Sequence, residues 1–289
     1  MEQPQPALLH AGDTVLFIDS KQREYLRVLR PGSRLHIRGG TLQADNLIGL
    51  AEGRFVHTTA KESFLMLRPT FAQLVPNLPR QAQVIYPKDI GPILLWGDIY
   101  PGATVIEVGA GPGALSMALL RAIGPAGRLV SYEARADFAE MAQRNVLQFH
   151  GPTPNWTVKV ADAFAGIEER NVDRLTMDLA EPWRLLPTAG DALRAGGLIL
   201  AYVPTVLQVK QFVDALRAHG GFGAIQTFES LIRFWHVKNL SVRPEHRMVA
   251  HTGFIVVARR LAESVIRGQI DTAPPCPSTW PADDLDAEA

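Results

Sequence analysis

Three glycines at alternating positions, Gly109, Gly111 and Gly113, follow the apolar run Thr104–Val108 and open the apolar-periodic segment Ala114–Ile123. A strand that turns into a helix through glycines lets the backbone approach a ligand closely and aims the helix's first unpaired amides at a polar or anionic group. Three acids stand further along, at the ends of β-like runs: Glu133 after RLVSY, Asp162 after VKVA and Asp178 after VDRLTM. In an open α/β sheet, the C-terminal ends of the strands are where ligands bind. A carboxylate at Glu133, about one βαβ unit beyond the glycines, can accept both hydroxyls of a ribose. One at Asp162 can accept the exocyclic amine of adenine. Each acid alone could cap a helix, and the glycines alone could serve a tight turn with no ligand. Their joint placement points to an adenosyl cofactor. The G-x-G-x-G spacing, preceded by Glu107, departs from the G-x-G-x-x-G of dinucleotide sites and favours S-adenosyl-L-methionine, whose methionine carboxylate would meet the helix amides.

Residues so spaced need a sheet to position them. From Ile90 onward strand-like and helix-like runs alternate: TVIEV, GALSMALLRAI, RLVSYE, RADFAEMAQRNVLQF, WTVKVAD, VDRLTMDL, a helix near Thr188–Arg194, GLILAYV and TVLQVKQFVDALRAH. Such alternation predicts a mostly parallel, Rossmann-like sheet with helices on both faces. Ala224–Val237 and Met248–Arg260 are both strand-like with no clear helix between them. They predict an antiparallel C-terminal strand, as in class I S-adenosylmethionine-dependent methyltransferases. Residues 12–75 hold short β-like runs (TVLFID, RLHIRGG, RFVHTT, FLMLRP) broken by glycine and proline. The expected organisation is a small β-rich N-terminal domain over 1–75, a linker over 76–89, the α/β catalytic domain over 90–261, and an acidic, Pro-rich tail over 262–289 that is predicted to be disordered.

The fourth strand of the α/β domain runs into Asp178-Leu179-Ala180-Glu181-Pro182-Trp183, beside the position where a transferable methyl group would lie. With Tyr86-Pro87-Lys88-Asp89, the glycine loop, Ser131-Tyr132-Glu133-Ala134-Arg135, Ala201-Tyr202-Val203-Pro204 and His251-Thr252-Gly253-Phe254, this segment resembles the tRNA adenine-N1 methyltransferases that modify the T-loop adenosine at position 58 in tRNA convention. The resemblance spans about residues 12–260. It implies cofactor contacts at Gly109, Ala110, Gly111, Gly113, Ala114, Leu115, Glu133, Asp162, Ala163 and Asp178. It also implies a catalytic carboxylate at Asp178, an adenine pocket lined by Tyr86 and Tyr202, tRNA as partner, and a homo-oligomer, usually a tetramer. One departure is Pro112, which removes an amide from the loop.

The chemistry of that acceptor follows from its structure. Unpaired adenine N1 carries a free lone pair and needs no base to deprotonate it, while the product ring is cationic. A carboxylate at Asp178 would stabilise the developing charge and, by accepting from the N6 amine, orient the ring. The target base must be extruded from folded tRNA into an aromatic or apolar slot. Trp183 is a further candidate to line it, although aromatics are commonly core. His251 could meet the substrate rim or be a satisfied structural residue. Arg80, Lys88, Arg233, Lys238, Arg243 and Arg247, with the N-terminal Lys21, Arg23, Arg27, Arg30, Arg34 and Arg38, could meet tRNA phosphates, which position RNA without reading its sequence.

Composition narrows the alternatives. Twenty-nine basic and twenty-nine acidic residues cancel, which argues against a generic, strongly basic nucleic-acid binder. A single cysteine, Cys276, excludes a disulfide framework or a cysteine-built zinc site, and the scattered histidines suggest no metal. No targeting segment or membrane-length apolar run is visible, so a reducing cytoplasm is the expected compartment. Other readings are a class I methyltransferase acting on a protein carboxyl or small molecule, a non-catalytic RNA-binding subunit, and a nicotinamide oxidoreductase. The intact glycine loop and Asp178 argue against the non-catalytic subunit.

Overall fold

A computed structural model of the chain describes residues 7–80 and 83–263. The tail expected from residue 262 lies outside the described residues beyond Glu263. The chain separates into two compact units, one ending at Pro79 and one beginning at Arg80.

The first unit is β-rich. Strands β1 (Thr14–Asp19), β2 (Glu24–Val28), β3 (Arg34–Ile37), β4 (Gly40–Gln43), β5 (Arg54–His57) and β6 (Ser63–Leu67) form an antiparallel sheet of order β2-β1-β6-β5 and a separate β3-β4 hairpin. Val15, Phe17, Leu29, Ile37, Phe64 and Met66 build its core, with alternate residues turned inward as a half-buried sheet requires. Strand β2 falls inside the Arg-rich stretch. There Asp19, 7% exposed, accepts from both Arg23 and Arg38, while Arg27 donates to the carbonyl of His36. Part of that basic run therefore holds this unit together. The unit ends in the short helix α1 (Phe71–Leu74), started by a Thr70/Gln73 capping box.

The second unit begins with helix α2 (Pro87–Trp96). The expected linker over 76–89 is thus not all loop: Pro87, with its fixed φ and no N–H to lose, starts the helix at its first position. There follow β7 (Thr104–Val108), α3 (Ala114–Ile123), β8 (Arg128–Glu133), α4 (Ala136–Phe149), β9 (Trp156–Val160), β10 (Val172–Asp178), α5 (Leu186–Ala192), β11 (Leu193–Val203), α6 (Val206–His219), β12 (Phe222–Phe228), β13 (Trp235–Lys238), β14 (Ser241–Pro244) and β15 (Phe254–Arg260). The seven-stranded sheet runs β12-β15-β11-β10-β7-β8-β9. Strands β7 to β11 pair in parallel, and β15 is antiparallel to both β11 and β12. This is the class I methyltransferase fold.

Three boundaries differ from the sequence reading, the strand expected over Met248–Arg260 beginning only at Phe254. The helix expected at Thr188–Arg194 ends at Ala192, because Leu193 pairs with Val172 and extends β11 backward through a register shift. The strand expected over Ala224–Val237 breaks after Phe228. Its second half folds onto β14 as a hairpin, with Asn239 at φ +51° in the turn, a conformation that asparagine tolerates. Strand β7 lies inside the sheet between β10 and β8, and its residues Val105 to Val108 are buried. Helix α3 packs an almost wholly buried run against the sheet, so the loop between β7 and α3 has rigid elements at both ends.

Candidate functional site

The loop that joins β7 to α3 is held by two close approaches. Gly109, at φ +90°, sits where a Cβ would come within 2.5 Å of the backbone carbonyl of Asp178. Gly113, at φ +85°, faces the backbone of Ala142 on α4, which a Cβ would meet at 3.2 Å. These glycines let the loop press against the end of β10 on one side and α4 on the other. Pro112 fits between them. Its carbonyl accepts from the buried Asn145 side chain at 2.8 Å, and the amide of Gly113 closes a turn onto Ala110. The amide lost at Pro112 thus lies in a segment fixed from α4 instead.

A cavity of about 610 Å³ opens on this loop. Its lining includes Gly109, Gly111, Glu133, Asp178, Tyr86 and Tyr202, brought together from β7, β8, β10, β11 and the start of α2. Val84, Ile85, Phe138, Pro204 and Thr252 supply further wall. The volume suits a cofactor-sized ligand. Ala110, Ala114, Leu115 and Ala163 are buried and are not part of the lining. Glu133 accepts from the amides of Gly111 and Arg135, both at 3.1 Å, and so ties the glycine loop to the end of β8.

Three carboxyls gather at the C-terminal ends of the adjacent strands β10, β7 and β8. Glu107 is fully buried, and one of its oxygens accepts from Ser116 at 2.6 Å and from Ser131. Its other oxygen has no hydrogen-bond partner among the described residues. Burial, and then the charges of Asp178 and Glu133, raise its carboxyl to about 7, against the opposing pull of the two serines. Asp178, the exposed last residue of β10, opens onto the cavity with protein crowded around it. That crowding, and secondly the charge of Glu133, raise its carboxyl to about 6. The basic side chain among the lining residues, Arg135, is committed elsewhere: it pairs with Asp137 at 2.8 Å and stacks on Phe138 at 4.0 Å. Arg135 still feels the charge of Glu133, whereas Asp178 has no cation paired with it among the described residues.

Other residues singled out in the sequence lie apart from this lining. Asp162 is exposed and caps the turn Ala163–Ala165, accepting from the amide of Phe164 at 2.9 Å. Trp183 is half-buried and packs on the sheet core. Arg80 is exposed at the start of the second unit. Lys88 is corrected as a phosphate contact: it is 8% exposed and donates to Asp89 and to the Ser230 carbonyl, both at 2.8 Å. His251 directs its two ring nitrogens at the Glu229 carboxylate and the Pro204 carbonyl, each at 2.9 Å, so both carry hydrogen in the protonated ring. The Pro204 carbonyl, then Glu229, raise its pKa, and the ring braces the cavity rim through Pro204. Phe138, Arg135 and Thr252 were not assigned roles from sequence. Arg135 and Thr252 do sit inside two of the matching motifs, SYEAR and HTGF.

Among the described residues, no group of three His, Cys, Asp or Glu side chains is arranged to hold a metal ion, and no helix is long and apolar enough to cross a membrane.

The raised carboxyl of Asp178 has a consequence for stability. Its ordinary value is near 3.8, so between that pH and about 6 the folded chain holds a proton that the unfolded chain has released. The group's contribution is most favourable below pH 3.8 and is lost as pH rises through about 6. Asp178→Asn is therefore expected to raise the thermal unfolding midpoint at about pH 8, with the gain vanishing near pH 4. A variant no more stable than the parent at the higher pH contradicts the assignment.

Comparison with known proteins gives these features a family. The model described as the tRNA methyltransferase complex GCD14 subunit matches residues 64–252, and the TrmI-like N-terminal model matches residues 8–56. A Thermus thermophilus protein described as tRNA (adenine(58)-N(1))-methyltransferase TrmI is 33% identical over 252 residues, covering 85% of this chain and 96% of its own. A Methanocaldococcus jannaschii protein described as tRNA (adenine(57)-N(1)/adenine(58)-N(1))-methyltransferase TrmI is 30% identical, covering 84% and 94%. Among solved structures, a SAM-dependent O-methyltransferase from Thermotoga maritima superposes with a TM-score of 0.85 at 31% identity, covering 90% of this chain and 97% of its own. The tRNA (m1A58) methyltransferase TrmI from Aquifex aeolicus superposes at 0.78 and 28%, covering 89% and 100%. With its glycine loop, strand-end carboxylates and seven-stranded sheet, this chain belongs to the tRNA (adenine-N1)-methyltransferase family of S-adenosylmethionine-dependent enzymes.

Proposed function

We propose that the chain transfers the methyl group of S-adenosylmethionine to N1 of the T-loop adenosine at position 58 of tRNA, giving 1-methyladenosine. The observation that carries this reading is the pairing, in one cavity, of Asp178, which has no cation partner among the described residues, with two tyrosines. The donor is a cation, and so is the methylated adenine ring. A site with Asp178 and Glu133 and no committed base favours both electrostatically. The same charge disfavours the pyrophosphate of a nicotinamide dinucleotide, and the Gly111 amide is already engaged by Glu133.

The residues fit the cofactor. Gly109 and Gly111 leave the loop without side chains where the ligand would approach, and Glu133 stands at the β8 end where a ribose is bound in such folds. Asp162, two residues beyond β9 and outside this lining, caps a turn with one oxygen, and we assign the other to the adenine amine. When bound, S-adenosylmethionine supplies an electrophilic methyl group on a sulfonium. The protein's part is placement and charge. Tyr86 and Tyr202 line a slot for an extruded adenine. Asp178 accepts from its N6 amine and stabilises the positive charge that grows on the ring. No proton need leave N1, so a general base is not required. The exposed Arg80, Arg233, Lys238 and Arg247 are candidates for tRNA phosphates.

A second reading keeps the cofactor and changes the acceptor, and the description of the Thermotoga maritima structure as an O-methyltransferase favours it. An oxygen acceptor such as a hydroxyl would have to lose a proton, which a carboxyl near 6 can take. The proteins described as TrmI bear the name of the adenine reaction, and their similarity extends across both units.

The β13–β14 hairpin supports assembly. Phe234 and Val237 are each 71% exposed, and Trp235, Leu240 and Val242 are exposed beside them. An apolar strand pair of this kind is unusual on the surface of a monomer. We assign it to contact between copies of this chain, in a homotetramer as the family resemblance implies. We assign the enzyme to the cytoplasm, a compartment that a tRNA substrate supports.

Two measurements test these readings. After incubation with unmodified tRNA, mass-spectrometric mapping is expected to find 1-methyladenosine in the T-loop. Asp178→Ala should lower kcat by roughly a hundredfold or more, the scale of losing a positioned charge-stabilising group. Label transferred to a carboxyl or hydroxyl, or near-normal rates in both Asp178→Ala and Asp178→Asn, overturns the assignment. In analytical ultracentrifugation the parent chain is expected to sediment as a tetramer, and the double variant Trp235→Asp with Val237→Asp as a smaller species. A monomeric parent contradicts the hairpin's role.

A further inference from the structure

We propose that Asp89 is a positioning residue for the acceptor: with Gly253, it clamps the ring of Tyr202 and so fixes one wall of the adenine slot. The proposal rests on the methyl-transfer reading above.

Asp89 lies in the first turn of α2 and is 0% exposed. A carboxylate so buried is costly unless its oxygens are fully partnered. Here they are. One oxygen accepts from Lys88 at 2.8 Å and from Ser230 at 2.7 Å. The other accepts from the hydroxyl of Thr252 at 2.6 Å and from that of Tyr202 at 3.2 Å. Four donors reach about the four acceptor positions that a carboxylate offers, the Ser230 hydroxyl being shared with the Lys88 carbonyl. Three of them stand 113, 141 and 163 residues further along the chain, at the end of β11, after β12 and before β15. A buried ion pair is a poor source of stability compared with apolar packing, so an arrangement this complete calls for a geometric reason.

Tyr202 supplies the reason. Its ring lies on the bare backbone of Gly253, where a Cβ would come within 2.3 Å of Cζ and 2.6 Å of the hydroxyl oxygen. Gly253 thus sets the ring from one side, and Asp89 holds its hydroxyl. The ring also lines the cavity together with Asp178 and Tyr86, and Tyr86 is the residue immediately before the helix that carries Asp89. One buried carboxylate therefore ties the tyrosine of β11 to the segment bearing the other tyrosine. An adenine held between such walls meets the methyl group in a narrow range of orientations, and a displacement of about 1 Å can cost a hundredfold in rate.

The test is a double-mutant cycle on the full-length chain, with kcat and KM for unmodified tRNA, the Kd of S-adenosylmethionine by calorimetry, and the thermal midpoint measured for each variant. Asp89→Asn is expected to lower kcat about tenfold while the cofactor Kd stays within about twofold. In a Tyr202→Phe background, which keeps the ring but removes the tethered hydroxyl, the same change should cost less than about twofold more. Gly253→Ala, which pushes the ring rather than releasing it, should lower kcat at least as far. If Asp89→Asn does not fold, Thr252→Val removes a single donor to the same oxygen and carries the same cycle. Equal losses in both backgrounds, or losses that follow cofactor affinity and thermal midpoint, give Asp89 a merely structural role and overturn the clamp. A parent chain that does not methylate tRNA overturns the reading of function instead, and the acceptor role with it.

Discussion

The site depends on a cluster of carboxyls in which Asp178 has no cation paired with it among the described residues. Glu107, Glu133 and Asp178 come from three adjacent strands, and the parallel sheet brings their ends to one edge. Burial and mutual repulsion raise the carboxyls of Glu107 and Asp178 above their ordinary range. In a structural ion pair a lysine or arginine would relieve this. Here Arg135 is turned to Asp137, and Lys88 to Asp89. A group kept in so unfavourable a state is characteristic of functional sites, where the ligand supplies what the protein withholds. A sulfonium donor and a cationic product ring are ligands of that kind.

The remainder of the second unit holds this charge in place. Gly109 brings the glycine loop against the backbone carbonyl of Asp178, which lines the same cavity, so the loop and the end of β10 are packed as one. Glu107 stitches β7 to α3 through Ser116 and to β8 through Ser131. On the acceptor side Asp89 and His251 do the corresponding work, one beneath Tyr202 and the other beside Pro204. The two braces differ in kind. Asp89 is sealed from water and fully partnered, whereas His251 is exposed and holds its carbonyl only as a donor.

The fold was legible in the sequence wherever a periodic apolar pattern met a clear punctuation mark. The run TVIEV followed by alternating glycines, and RLVSY followed by Glu133, announce their elements because propensity and position agree. Strand β2, EYLRV, was hidden because its charged residues suit a sheet edge but break the expected alternation. The start of β11 was hidden because Leu193 pairs with a strand more than twenty residues away, a contact that no local pattern encodes. The site was half legible. Carboxylates at strand ends can be counted along the chain, but whether each faces the cavity or caps a turn, as Asp162 does here, is decided by side-chain direction. The role of Asp89 was the least accessible. Beside a proline and a lysine it reads as loop chemistry, and its meaning lies in partners that only tertiary structure brings to it.

The central claim, a cavity whose charge awaits a cation, is tested most directly by comparing two ligands that differ in that charge. The affinities of S-adenosylmethionine and of its neutral thioether product, S-adenosylhomocysteine, would be measured by calorimetry from about pH 5 to about pH 8. Preference for the sulfonium is expected to grow as pH rises through about 6, where Asp178 ionises, and to flatten in Asp178→Asn. A preference that is constant across this range, or one that Asp178→Asn leaves unchanged, would contradict it.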